Sequence, residues 1–189
     1  MIDPKEVSAV LVTRGDVEMG AIIDSIRAAG VEDIVVWDNA QRPVDLQCYG
    51  RYVAINEARH EIIYHQDDDL IAPVAEILAA YDPVADCNSI VANNRADEEW
   101  RLTAMGVVFR RGLAHCFDEY IARYGFDDDF CRICDVVFAY QHEYRRIVLG
   151  YTDLPWQTAP NSMYLQPGHM EVRERALQRT LELPVGVAA

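Results

Sequence analysis

The chain has 189 residues, 51% of them hydrophobic and 25% charged, and a formal net charge of −14. That length suits one domain with a substantial core, and that composition excludes disorder as the default state. With only 17 Lys and Arg against 31 Asp and Glu, unspecific binding to nucleic acid or anionic membranes is disfavoured, so an anionic ligand needs a metal or a few placed arginines.

Val7-Ser8-Ala9-Val10-Leu11-Val12-Thr13 is a β-branched apolar run followed by Arg14-Gly15-Asp16, the pattern of a strand and a turn. Asp16 is placed to cap a helix over 17–29, where Met19, Ile22, Ile23 and Ile26 recur at helical spacing before Gly30. Ile34-Val35-Val36-Trp37 reads as a second strand ending in Asp38-Asn39. Strand, helix, strand over this span is a βαβ unit with parallel strands and a right-handed crossover, and ligands of such sheets bind beyond the carboxyl ends of the strands.

Residues 51–60 read as a helix, with Arg51 and Arg59 able to approach a phosphate. A surface salt bridge is the plainer reading of each arginine. Ile62 to Gln66 then run as a third strand straight into Asp67-Asp68-Asp69. Downstream, the spacing predicts a helix over 73–81, strands over 86–92 and 103–110, helices over 112–124 and 134–143, and an amphipathic helix over 170–183. Asp127-Asp128-Asp129 is expected in a solvated loop, with Asp135 where a helix begins.

Three adjacent carboxylates raise one another's pKa values unless a cation or hydrogen-bond donors lie nearby, and a hard divalent ion with oxygen ligands is the simplest partner. On an extended segment Asp67 and Asp69 would share one ion while Asp68 faces elsewhere. Many sugar transferases hold Mg²⁺ or Mn²⁺, and through it a nucleotide diphosphate, with this Asp-x-Asp pattern. A solvated acidic turn is the bland alternative. Three polar clusters, Thr13-Arg14, Asp38-Asn39 and Asp67 to Asp69, fall at three successive strand ends and would converge on one crevice.

His169, after Pro167-Gly168, is a candidate neutral metal ligand, although a lone histidine is more often surface or core. Trp100 and Trp156 can stack on a sugar or simply pack. Cys131-x-x-Cys134 lacks a second ligand pair for zinc and reads as buried thiols. Five cysteines at irregular spacing fit a reducing compartment. No apolar run reaches the roughly 20 residues of a membrane span, and Met1 to Glu6 lacks a signal-peptide layout. A cytoplasmic chain is expected.

Five strings in order, Val35-Val-Trp-Asp-Asn39, Gln66-Asp-Asp-Asp-Leu-Ile71, Cys134-Asp-Val-Val-Phe138, Asn161-Ser-Met-Tyr164 and Ala176-Leu-Gln-Arg179, resemble the exostosin-like sugar transferases of glycosyltransferase family 64. The broader GT-A transferases, including family 2, share the first half of this pattern. The resemblance implies an α/β fold of the GT-A (Rossmann-like) type: one domain with a mixed, mainly parallel sheet flanked by helices. Residues 1–72 would form its nucleotide-binding half and 73–189 its acceptor-binding half.

It also implies a UDP-sugar donor with Mn²⁺ or Mg²⁺, and retention of configuration, where family 2 would imply inversion. By the same resemblance Thr13 and Asn39 contact the uridine and Arg59 lies near the nucleotide, within the polar strand ends that include Arg14, Asp38 and Asp68. Asp67 meets the ribose or metal, Asp69 the metal, and Arg173 or His169 covers the diphosphate. Asp135 matches the acid beside the transferred sugar, but Val136 stands where the family string has a second Asp. The acceptor is open among glycan, lipid, small molecule, protein and modified nucleic acid; the expected cytoplasmic setting argues against the heparan-type acceptors of animal exostosins. A metal-dependent phosphatase or nucleotidyltransferase, or a non-catalytic nucleotide-binding module, would use the same acids. A haloacid-type phosphatase, however, wants its Asp-x-Asp after the first strand rather than the third.

Overall fold

The structure, a computed structural model, describes residues 2–158 and 162–184. Asn161, part of the resemblance above, lies outside them. β1 (Val7–Thr13) is buried along its whole length. It pairs in parallel with β2 (Asp33–Asp38) on one side and β3 (Ile62–His65) on the other. β6 (Val107–Arg110) runs antiparallel to β3 and to β5 (Ser89–Asn93), and β7 (Glu143–Ile147) closes the far edge parallel to β5. The order is β2-β1-β3-β6-β5-β7, a mixed sheet with three parallel and two antiparallel pairings. A small second sheet joins β4 (Leu70–Ile71) to β8 (Thr152–Asp153).

Strand alternation divides the core into two layers. Val10, Val12, Ile63, Val107 and Phe109 face one side, where α2 (Gly50–Ala54), α4 (Asp118–Tyr124), α5 (Asp128–Gln141) and α6 (His169–Leu181) pack. Ala9, Leu11, Tyr64 and Val108 face the other, under α1 (Gly20–Ala28) and α3 (Val74–Ala80). The expected single α/β domain with a mainly parallel, helix-flanked sheet is therefore present. No helix among the described residues is long and apolar enough to cross a membrane.

Several expectations are corrected. Asp16 does not cap α1, whose N-cap is Met19 with no side-chain bond; Asp16 pairs with Arg14 at 3.1 Å instead. The helix expected over 51–60 is a short α2 and a 3-10 turn ending at Glu57. Asp127 to Asp129 do not form a loop. Asp127 accepts from the Phe130 amide and caps α5, and Asp128 and Asp129 occupy its first turn, where carboxylates suit the positive end of the helix. Asp135 therefore sits in mid-helix rather than at a helix start. The strand β7 was not anticipated, because Glu143-Tyr144-Arg145-Arg146-Ile147 is an exposed edge without apolar alternation.

Candidate functional site

The carboxyl ends of β1 and β3 open into a cavity of about 410 Å³, closed from the far side by α5, the start of α6 and the segment after β8. Its lining brings together Thr13, Arg14, Asn39, Asp67, Asp68, Asp69, Asp135, His169, Arg173 and Trp156, so residues distant in sequence meet in one place.

The backbone of the acidic triplet is not extended. β3 ends at His65, and Asp68 and Asp69 form a turn leading into β4. All three residues thus line the cavity, and the Asp68 carboxyl is drawn to Thr13. The turn is held by bonds from several directions. The Asp67 amide donates to the Ala104 carbonyl at 2.9 Å, the Leu154 amide to the Asp69 carbonyl at 2.8 Å, and Trp156 Nε1 to the Asp68 carbonyl at 2.6 Å. Trp156, at this distance, is a clamp on the triplet as well as a wall of the cavity.

The three acids have different surroundings. Asp67 accepts from Arg51 Nη2 at 2.6 Å. Burial raises the Asp68 carboxyl, a hydrogen bond with Thr13 opposes this, and Asp67 adds to the rise. Its Oδ2 is buried without a hydrogen-bond partner among the described residues. Asp69 is pushed up to about 7 by burial, then by Asp67 and Asp68. Two carboxylates that resist ionisation beside a third are a site short of positive charge.

Asp135 reaches the cavity from α5. Tyr52 donates to its Oδ1 at 2.6 Å, and Arg51 Nη1 lies 3.7 Å from its Oδ2. Burial raises its pKa against the pull of the Arg51 charge. Facing it, His169 starts α6 and is kept neutral by burial and by the nearby charges of Arg173 and Arg132. Its Nδ1 and the Nε of Arg173 have no hydrogen-bond partner among the described residues. The Arg173 guanidinium rests 4.7 Å over the ring of Trp100, which supports the arginine and does not itself line the cavity.

Two expected site residues lie elsewhere. Arg59 is 81% exposed and pairs with Asp33 at 3.4 Å, at the amino end of β2. Five residues of strand, about 16 Å, separate Asp33 from the end of β2 that faces the cavity. Asp38 does not line the cavity either: its oxygens accept from the Ala40 amide and from Gln41 Nε2, capping the turn over Asn39–Gln41. Asn39 does line it, but its Oδ1 accepts from Trp37 Nε1 and the Leu46 amide, and its Nδ2 donates to the Gln47 carbonyl. Its side chain shapes the 39–47 loop and leaves little capacity for a base.

Sequence reasoning missed the burial of Arg51, expected to reach a phosphate or lie in a surface pair, and missed Tyr52 altogether. Gly50 was the available signal. A Cβ there would collide with the Trp37 indole, so α2 is pressed against the sheet and carries Arg51 and Tyr52 inward.

Among the described residues no three His, Cys, Asp or Glu side chains converge as a metal cage. Asp69 and the free oxygen of Asp68 nonetheless form an all-oxygen pair short of a cation, the donor set of Mg²⁺ or Mn²⁺ held by one or two carboxylates together with substrate phosphates. Their oxygen donors suit a hard divalent ion rather than a soft one. His169 is not gathered with the acids as a third ligand.

No protein-family model and no curated protein matches the chain in sequence. Among solved structures it is similar to the mannosyltransferase PcManGT from Pyrobaculum calidifontis in complex with GDP-Man and Mn²⁺, at 13% identity and a TM-score of 0.48, covering 95% of this chain and 74% of that one. It is also similar to S. aureus TarS 1–349, at 14% identity and a TM-score of 0.44, covering 95% of this chain and 63% of that one. Neither likeness shows membership of family 64.

Proposed function

We propose that the cavity is the active site of a metal-dependent glycosyltransferase that moves a sugar from a nucleotide diphosphate donor to an acceptor hydroxyl. The observation that carries this reading is the pairing of a cation-deficient triplet, Asp67 to Asp69, with a further, partly buried carboxylate, Asp135, across one cavity. A merely nucleotide-binding site needs only the triplet, whereas an acid across the cavity is placed to serve the transferred sugar. The family resemblance points to UDP as the nucleotide and to retention as the outcome.

Asp69 and Asp68 would hold the divalent ion, which when bound supplies Lewis-acid stabilisation of the departing diphosphate. Arg173 and His169 would face the same diphosphate, Arg173 as a fixed charge and His169 through its unpartnered Nδ1. Thr13 and Arg14 border the nucleotide end at the close of β1. Asp135, held by Tyr52 and Arg51, would lie beside the anomeric carbon, stabilise its developing positive charge and orient the acceptor hydroxyl. In a same-face reaction the acceptor oxygen bonds to the anomeric carbon as the bond to the β-phosphate oxygen breaks, and the acceptor proton passes to that phosphate oxygen. Arg95 and Arg132 line the cavity and would border the acceptor.

The test is release of nucleotide from UDP-glucose, UDP-galactose, UDP-N-acetylglucosamine and GDP-mannose, with Mn²⁺ and with EDTA. Slow Mn²⁺-dependent hydrolysis of one donor, abolished by Asp69→Ala, is the expected result. Hydrolysis of simple phosphate esters with no action on any nucleotide-sugar would overturn the reading in favour of a phosphatase.

A further inference from the structure

Arg51 is the most deeply buried charge in the site, at 1% exposure, while the two carboxylates it meets, Asp67 and Asp135, keep 29% and 23% exposure. The cation therefore lies behind two acids that open into the cavity. It bridges the turn after β3 to the middle of α5, two elements with no sequence proximity, with Nη2 at 2.6 Å from Asp67 and Nη1 at 3.7 Å from Asp135. The next residue on α2, Tyr52, fixes the other oxygen of Asp135.

A buried ion pair of this kind is weak evidence of a stabilising role, because desolvation opposes the attraction and apolar packing of equal volume is often as stable. One guanidinium shared by two carboxylates, hydrogen-bonded to Asp67 through Nη2 but with both Nε and Nη1 left without a hydrogen-bond partner among the described residues, is a poor device for stability alone. It is an effective one for geometry: the planar guanidinium fixes the Asp67 contact in direction and holds its charge 3.7 Å from Asp135, which a flexible ammonium does not.

We infer that Arg51 is a positioning residue of the transfer reaction, holding the nucleotide-side carboxylate Asp67 and the sugar-side carboxylate Asp135 in a fixed mutual arrangement. This rests on the transferase reading above. Arg51 borders the cavity but is 1% exposed, so its proposed action is through the two acids. Donor binding at the triplet and alignment of the anomeric carbon at Asp135 are then set by one rigid unit rather than by two independent side chains.

The test uses Arg51→Lys, which keeps a buried positive charge but loses the fork, and Arg51→Gln beside it. Wild type is first titrated with UDP and Mn²⁺ and assayed with whichever donor of the panel it hydrolyses fastest. Failure of wild type in both measurements overturns the transferase reading, and this inference with it, before any variant matters. Arg51→Lys should melt cooperatively yet lose about 100-fold in kcat, the scale for displacing a reacting group by about 1 Å.

Acting through Asp135, the substitution should remove no more than about threefold further from kcat in an Asp135→Asn background. In an Asp67→Asn background it should likewise leave UDP affinity within about threefold. Losses that multiply in both backgrounds would show a diffuse structural effect and overturn the inference. So would Arg51→Lys or Arg51→Gln turning over at the wild-type rate.

Discussion

If Asp69 is a ligand of the divalent ion, protons compete with metal for it over a range where ordinary carboxylates do not titrate. Burial, Asp67 and Asp68 push Asp69 up to about 7 from the usual carboxylate value of 3.8. The proton is held more tightly in the fold than in the unfolded chain, so Asp69 favours the free fold at low pH. That contribution is lost as pH rises from about 4 through about 7. Binding of a cation has the opposite sign, because only the ionised carboxylate coordinates.

An acid with a pKa of about 7 is about 90% ionised at pH 8 and about 10% at pH 6, so Mn²⁺-dependent donor affinity should weaken about tenfold over that interval. The rise at Asp68 can only steepen this. The assay is calorimetric titration of UDP-glucose with Mn²⁺ at three pH values, a sugar-linked diphosphate having no proton of its own that titrates there. Affinity independent of pH in wild type would refute the reasoning. So would an Asp69→Asn variant that keeps both the metal requirement and the pH slope.

Other substitutions separate binding, catalysis and support. Asp135→Asn should leave UDP affinity with Mn²⁺ near wild type and reduce donor turnover by about 10²- to 10⁴-fold, the range for a positioned acid–base group; equal turnover would remove Asp135 from the chemistry. Asn39→Ala should leave the donors Trp37 Nε1 and Leu46 N–H without their acceptor and destabilise the fold by about 2 kcal/mol or more, measured by urea unfolding. Destabilisation near zero with a large loss of UDP affinity would instead make Asn39 a base contact. Gly50→Ala drives a methyl into the Trp37 ring. It should lower stability by about 1–3 kcal/mol and reduce kcat through the displaced Arg51 and Tyr52. Unchanged kcat in a folded Gly50→Ala protein would contradict that coupling.

The βαβ start was legible because two β-branched apolar runs, Val7 to Thr13 and Ile34 to Trp37, bracket a segment of helical spacing, and the strands they form pair in parallel. The place of the triplet at a strand end was legible because three carboxylates directly follow an apolar run. What was hidden follows from tertiary contacts. Asp38 and Asn39 look like ligand contacts in the chain, yet local turn bonds consume their polar atoms. Arg59 and Arg51 are eight positions apart on one expected helix. A 3-10 turn ends that helix early and leaves Arg59 outside, while the close seat of Gly50 on Trp37 takes Arg51 to the centre. Asp127 to Asp129 resembled a solvated loop because capping and exposure favour the same residues. Only the apolar face of α5 behind them marks a helix, and it resolves once packing is known.

The central claim is that the turn of Asp67 to Asp69 binds a nucleotide diphosphate through a divalent ion. The most direct measurement is titration of UDP, and in parallel GDP, into wild type and Asp69→Ala with Mn²⁺ and then with EDTA. Binding by wild type that disappears with EDTA and in Asp69→Ala is the predicted result. Folded wild type that binds neither nucleotide, or binds one equally well with EDTA, would contradict it.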